Sequence, residues 1–272
     1  MRAVGRKRVG LALAAAAGFA ACTSCSAVRV APARLPVQMT IVREQLVIHS
    51  DTPVPAQHRL FQDLTAQRGE LLSKLALPGS DEPIHVYLFN TPERFDVFMR
   101  LRFPQFPSRR AFFVEGDTEL AVYAYWGERV AEDLRHEVAH GYLHSAVRNI
   151  PLWLDEGLAE YFEVPRGSGG LNRPHVNQLA VRLAAGGWRP DLRRVEALAS
   201  AGEMTQFDYA ESWAWAHWML ETTPPRKELL RAYFKSLKET GTAEPLSTQL
   251  ERIEPNAARG VAEHIFQLAL PR

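Results

Sequence analysis

His136 and His140 stand four residues apart, Glu137 sits beside the first, and Glu156 and Glu160 follow in the next stretch of chain. On a helix, residues four apart differ by about 40° around the axis and about 6 Å along it, so two imidazoles at this spacing can reach one ion. Two imidazoles and a carboxylate form a common donor set for zinc, which then keeps its last position for water. A carboxylate next to those ligands can take the proton of that water as it attacks a polarised carbonyl. The chemistry expected of these residues is therefore amide hydrolysis with Zn2+ as cofactor. His136 and His140 are the expected ligands and Glu137 the general base.

Both imidazoles must ride on one helix. Glu128 to about Val147 contains no proline and only Gly141 as a glycine, and Val130, Leu134 and Val138 recur every fourth residue, with Ala131 and Leu143 widening the apolar stripe. Asn149-Ile150-Pro151 ends that run. Pro151 suits the first position of a second helix, and Pro165 stops it beyond Val164. In such a hairpin His140 lies about seven residues, or roughly 10 Å, before the turn, and Glu156 lies about five residues after Pro151 at comparable depth. Glu156 should then come level with His140 as third ligand. Glu160, one turn further on, should come level with His136 and accept a hydrogen bond from its ring. The two glutamates share a helical face, so either could reach the ion and the length of the turn decides between them.

The paired segments resemble the gluzincin group of zinc peptidases, which combine HExxH with a glutamate ligand on a following helix. Trp153-Leu154-Asp155-Glu156-Gly157-Leu158-Ala159 is similar to the W-L-N-E-G-F-A segment of the gluzincin aminopeptidases, where the glutamate before glycine binds zinc. The likeness implies that role for Glu156. Fifteen residues separate His140 from Glu156, fewer than in those aminopeptidases or in the thermolysin group, and the G-A-M-E-N segment of the aminopeptidases is absent. A closer likeness is to small bacterial proteins of the peptidase MA-like kind, with a motif resembling L-P-x-W-L-x-E-G-x-A-E-Y. It covers residues 128–163. A metzincin pattern fails, because Leu143 and Ala146 stand where that pattern needs glycine and histidine.

At the start of the chain, Arg2, Arg6, Lys7 and Arg8 precede an apolar run from Val9 to Ala21, the layout of a secretory signal. Phe19-Ala20-Ala21-Cys22 resembles a bacterial lipobox, so lipidation at Cys22 is expected, with simple cleavage of the signal as the alternative. Residues 1–21 are thus read as signal peptide, 22–37 as a lipid-anchor tether and 38–272 as one domain. That domain divides into an α/β lobe to about residue 165 and a helical lobe over 166–272. The expected location is the bacterial cell envelope, with the membrane reached through the anchor. Cys22 and Cys25 are the only cysteines, so residues 38–272 can form neither a disulfide framework nor a thiolate metal site. The balance of 32 basic against 31 acidic residues, with four of the basic ones in the signal, gives no support for a nucleic-acid partner.

Within the domain, 40–50 reads as strand, 58–75 as helix, 84–89 as the clearest strand, and Asn90-Thr91-Pro92-Glu93 as the cap of a further helix. Strand candidates 111–114 and 120–126 flank a turn and lead into the zinc helix. In related zincins an edge strand there pairs with extended substrate, and Ala121–Tyr125 is the candidate by that resemblance. Arg166-Gly167-Ser168-Gly169-Gly170 is expected to be a mobile connector. Helical periodicity then marks 174–185, 192–199, 208–221, 226–238 and 255–270.

The class expected is α+β and zincin-like: a small, mainly N-terminal β-sheet, the HExxH helix and a C-terminal helical lobe. Gluzincins commonly stabilise the oxyanion with a tyrosine or histidine, and this implies Tyr209, or failing that His217, in that role. The function expected is zinc-dependent hydrolysis of peptide bonds in a peptide or protein substrate. Two alternatives stand beside it: a non-catalytic, zinc-stabilised envelope binding protein, and a hydrolase of a cell-wall amide.

Overall fold

A computed structural model of the chain describes residues 34–271, which form five strands and ten helices. The signal segment, Cys22 and most of the tether lie outside the described residues. Among the described residues no helix is long and apolar enough to cross a membrane.

The segment read as one strand over 40–50 folds back on itself. Glu44 adopts a positive φ of 49°, and the chain pairs with itself as β1 (Met39–Arg43) and β2 (Leu46–Ser50). Helix α1 (Arg59–Leu75) leads to β3 (Ile84–Phe89), which lies parallel to β2. Thr91 caps α2 (Pro92–Arg102) through its side chain, with proline in the first turn as the sequence implies. The hairpin β4 (Ala111–Glu115) and β5 (Leu120–Tyr125) completes a mixed sheet of order β1-β2-β3-β5-β4.

That order corrects one expectation. The hairpin enters the sheet with its second strand inward, so β5 pairs with β3 on one side and β4 on the other. Ala121–Tyr125 therefore has no free edge, and the edge strand of the hairpin is β4.

The two faces of the sheet follow from strand periodicity. Ile84, Val86 and Leu88 of β3, with Leu120, Val122 and Ala124 of β5, enter the main core beneath α1 and α3 (Val130–Ala146). Tyr87, Phe89, Ala121 and Tyr123 face the other way and meet Phe95, Phe98 and Met99 of α2 in a smaller aromatic cluster. In α3, Leu134 and Val138 are fully buried in the main core, as their fourfold spacing requires.

Helix α4 (Leu152–Phe162) forms the second arm of the hairpin and packs against both α3 and the core helix of the C-terminal part. The C-terminal part is helical: α5 (Arg173–Ala184), α6 (Leu192–Glu196), α7 (Gln206–Glu221), α8 (Pro224–Thr240), α9 (Leu246–Ile253) and α10 (Ala257–Ala269). Pro224-Pro225 opens α8, and α9 was not anticipated. Helix α7 is buried on every side and carries Trp213, Trp215 and Trp218 into the core. Gly157 lets α4 approach it. A Cβ at that position would stand 2.5 Å from the Ser212 carbonyl oxygen, so the glycine after Glu156 is required by helix packing. The 166–170 connector is tied down, since Trp213 Nε1 donates to the Gly170 carbonyl at 2.9 Å.

Candidate metal centre

Helix α3 presents His136 and His140 on successive turns, and α4 brings Glu156 against both. The two Nε2 atoms lie 3.3 Å apart. Glu156 Oε2 is 3.5 Å from that of His136 and 3.6 Å from that of His140. In a tetrahedral site the ligand–ligand edge is about 1.6 times the bond, so zinc bonds of about 2.0–2.1 Å require donors about 3.3–3.4 Å apart. The triangle present here comes close to those dimensions, with the two edges to Glu156 slightly longer. Glu156 Oε2 is also buried without a hydrogen-bond partner. A carboxylate oxygen left so is costly, and a cation between the three donors would remove the penalty. His136, His140 and Glu156 can thus hold a metal ion.

The neighbouring carboxylates polarise both rings. Burial alone would lower the His140 pKa, yet Asp155 and Glu156 outweigh it and push it up to about 10. His136 is likewise raised against its burial, by Glu156 and Glu163. Glu156 is held down to about 2, because the two imidazoles outweigh a burial effect of opposite sign. Burial pushes the Glu137 carboxyl above its usual range despite His136 and His140 nearby. Glu137 Oε2 accepts the Phe113 backbone N–H at 2.6 Å, which fixes the carboxylate against edge strand β4.

A cleft of about 710 Å³ opens beside the cluster, lined by Arg109, His136, Glu137, Glu160, Glu163 and Tyr209 among others. Tyr209, from the first turns of α7, reaches the cleft, and its hydroxyl accepts a hydrogen bond from Arg109 at 3.1 Å. His217 lies two turns further along and faces elsewhere: its Nδ1 is 2.9 Å from His264 Nε2, and its ring packs on Trp213 and Tyr161.

Residues 130–247 match the DUF1570 family, described as proteins of unknown function. The DUF1570 match spans α3 to the start of α9 and includes His136, Glu137, His140, Glu156 and Tyr209. No curated protein matches the chain.

The outer contacts differ from expectation at one residue. His136 Nδ1 lies 3.1 Å from Glu163 Oε2, so the partner expected to be Glu160 is Glu163. Glu160 Oε2 instead binds His175 Nε2 at 2.7 Å and Asn172 at 3.3 Å. Matching depths along two arms assumes parallel helices, and here the carboxylate level with Nδ1 comes three residues later. Three further contributors went unnoticed in the sequence. Asp155 Oδ1 stands 2.9 Å from His140 Nδ1 as an ion-pair contact, Arg109 reaches Tyr209, and the Phe113 amide holds Glu137. Glu163 carried a signal that could have found it, because 156, 160 and 163 form one helical stripe.

Proposed function

We propose that this chain is a zinc peptidase of the gluzincin kind with a zincin-like fold, acting on peptide bonds in the bacterial cell envelope. The observation that carries the reading is the unpartnered Glu156 Oε2 facing two imidazole nitrogens at 3.5 and 3.6 Å, with Glu137 beside them. Zinc fits the donor set of two imidazoles and one carboxylate. When bound it supplies a Lewis acid that polarises a carbonyl and acidifies water.

The remaining work falls to side chains. Glu137 takes a proton from attacking water and later returns it to the leaving amine, and a pKa raised by burial suits both duties. The Phe113 amide keeps that carboxylate in place. Tyr209 faces the cleft and can donate its hydroxyl proton to the oxyanion, while Arg109 holds its oxygen from the other side. Beyond the Phe113 N–H that Glu137 takes, the outer side of edge strand β4 offers backbone groups along which an extended peptide can lie. Envelope location is supported by the signal-like residues 1–21 and Cys22, and the intact mass of the mature protein after membrane extraction tests the lipid.

Glu137→Gln tests the chemistry. It should retain stoichiometric metal and the folded state while hydrolysing a peptide library at least about 10²-fold more slowly, the lower end for general-base catalysis. Equal turnover by the variant removes Glu137 from the mechanism. Stoichiometric zinc with no turnover by the unaltered chain would instead favour the non-catalytic binding protein.

A further inference from the structure

Behind His140, on the side away from the cleft, lies a chain of polar contacts that the proposed reaction does not use. Asp155 Oδ1 is 2.9 Å from His140 Nδ1, and its other oxygen, Oδ2, is 3.0 Å from His144 Nε2. His144 Nδ1 is in turn 2.7 Å from Glu115 Oε2. The Phe113 ring packs against both imidazoles, with centroids 5.9 Å from His140 and 5.0 Å from His144. Residues from α3, α4 and edge strand β4 are therefore joined in one line ending at the metal cluster.

We infer that His144, anchored by Glu115, is a positioning residue for the ligand His140 and acts through Asp155; the inference rests on the zinc reading above. A ligand imidazole must keep its proton on Nδ1 so that the Nε2 lone pair is free for the metal, and a carboxylate facing Nδ1 enforces that tautomer. Asp155 can do so only if its carboxylate plane is held. His144 supplies the hold by engaging Oδ2, leaving Oδ1 2.9 Å from His140 Nδ1 in an ion-pair contact, and both of those buried atoms are without a hydrogen-bond partner. His144 is itself fixed, since carboxylates flank both its ring nitrogens and Phe113 meets its ring in an edge-on contact. A histidine four residues beyond a ligand pair thus acts as a strut, and Glu115 ties the strut to the end of edge strand β4.

The test uses Co2+ as a spectroscopic probe in the intact chain, with affinity measured by chelator competition for the unaltered protein, His144→Ala, His144→Gln, Asp155→Ala and the double alanine variant. His144→Ala should weaken binding about 10-fold, the low end for an outer partner of a ligand, and alter the cobalt d–d bands. His144→Gln keeps an N–H donor for Asp155 and should recover most of the loss. The double variant should bind no more weakly than Asp155→Ala alone, because both changes remove one line of action. Additive losses, or an unchanged spectrum and affinity in His144→Ala, overturn the inference while leaving the zinc reading intact. A second cobalt ion bound in a His144-dependent way overturns it too, by making His144 a ligand. An unaltered chain that takes up no cobalt overturns both readings together.

Discussion

Among the close histidine pairs of this protein, two are electrostatic opposites. His136 and His140 have ring centroids 5.0 Å apart, as do His217 and His264. Around the first pair stand Glu137, Asp155, Glu156 and Glu163, and the imidazoles are driven toward the protonated form. Around the second stand Trp213 and Tyr161 with a single carboxylate, Glu221, whose pull is outweighed by burial, by the repulsion of His264 on His217, and by Arg226 and Lys74, and both rings fall to about 4. Burial disfavours the charged form in both places. The difference is the supply of anionic oxygen, so proximity of two imidazoles does not by itself make a cation site. His217 and His264 form a neutral pair joining α7 to α10, whereas His136 and His140 are built to face positive charge.

Removing the anionic donor should break the contrast most severely. Glu156→Ala leaves two imidazoles without the third donor, and zinc affinity measured by chelator competition should fall by more than the ~100-fold that marks loss of an outer partner. His217→Asn should leave that affinity unchanged. An Ala variant that holds zinc as tightly as the unaltered chain would exclude Glu156 as a ligand.

The same contrast separates the two residues considered for the oxyanion. Tyr209→Phe deletes a hydroxyl that faces the cleft, and the rate should drop about 10²-fold with metal content preserved, the scale for losing one oxyanion donor. His217→Asn should change stability far more than rate. If steady-state kinetics with a responsive peptide show the reverse, Tyr209 has been given the wrong role.

A smaller effect distinguishes the glutamates on the cleft wall. Glu163 contacts His136 Nδ1 directly, so Glu163→Ala should weaken zinc binding by roughly 10–100-fold. Glu160 is engaged by His175 and Asn172, and Glu160→Ala should weaken it less. Chelator competition on both variants ranks them, and the opposite order would restore Glu160 as the partner of His136.

What the sequence disclosed about this site tracks the range of the forces involved. Spacing within one helix is set by its 3.6-residue period, so His136, Glu137 and His140 could be read directly, as could the apolar stripe of Val130, Leu134 and Val138. Glu156 needed one tertiary assumption, the depth of a short hairpin, and that sufficed. Glu163 was missed because the same assumption, carried another two turns, puts Glu160 level with His136, and the contact is made by Glu163. Strand segments were visible from alternation, but their order was not. Nothing local tells whether β4 or β5 lies inside, and that decides which strand keeps a free edge. Arg109 lies in a loop without periodicity and meets Tyr209 across a hundred residues of chain. Short α9 was hidden because eight residues between Pro245 and Glu254 give a weak helical signal.

The mildest test of the comparison is pH. His217 and His264 have folded pKa values of about 4 against 6.5 in the unfolded chain, so between those values the unfolded state binds more protons. Their contribution is fully present above pH 6.5 and is lost as pH falls toward 4. The histidines of the candidate metal cluster run the other way in metal-free protein. With His140 raised to about 10, its contribution is fully present below 6.5 and is lost as pH rises through 10. Thermal melts of chelator-treated protein should therefore show the acid-side loss shrink in His264→Gln, which removes one titrating ring from the half-buried side of the pair. In a domain of this size each kcal/mol spared corresponds to about 2–4 °C in Tm. Comparing the unaltered chain with the variant at every pH cancels the carboxylates that titrate in the same window. An unchanged acid slope in His264→Gln would mean that this pair is not held neutral, and the opposition between the two histidine pairs would fail on that side.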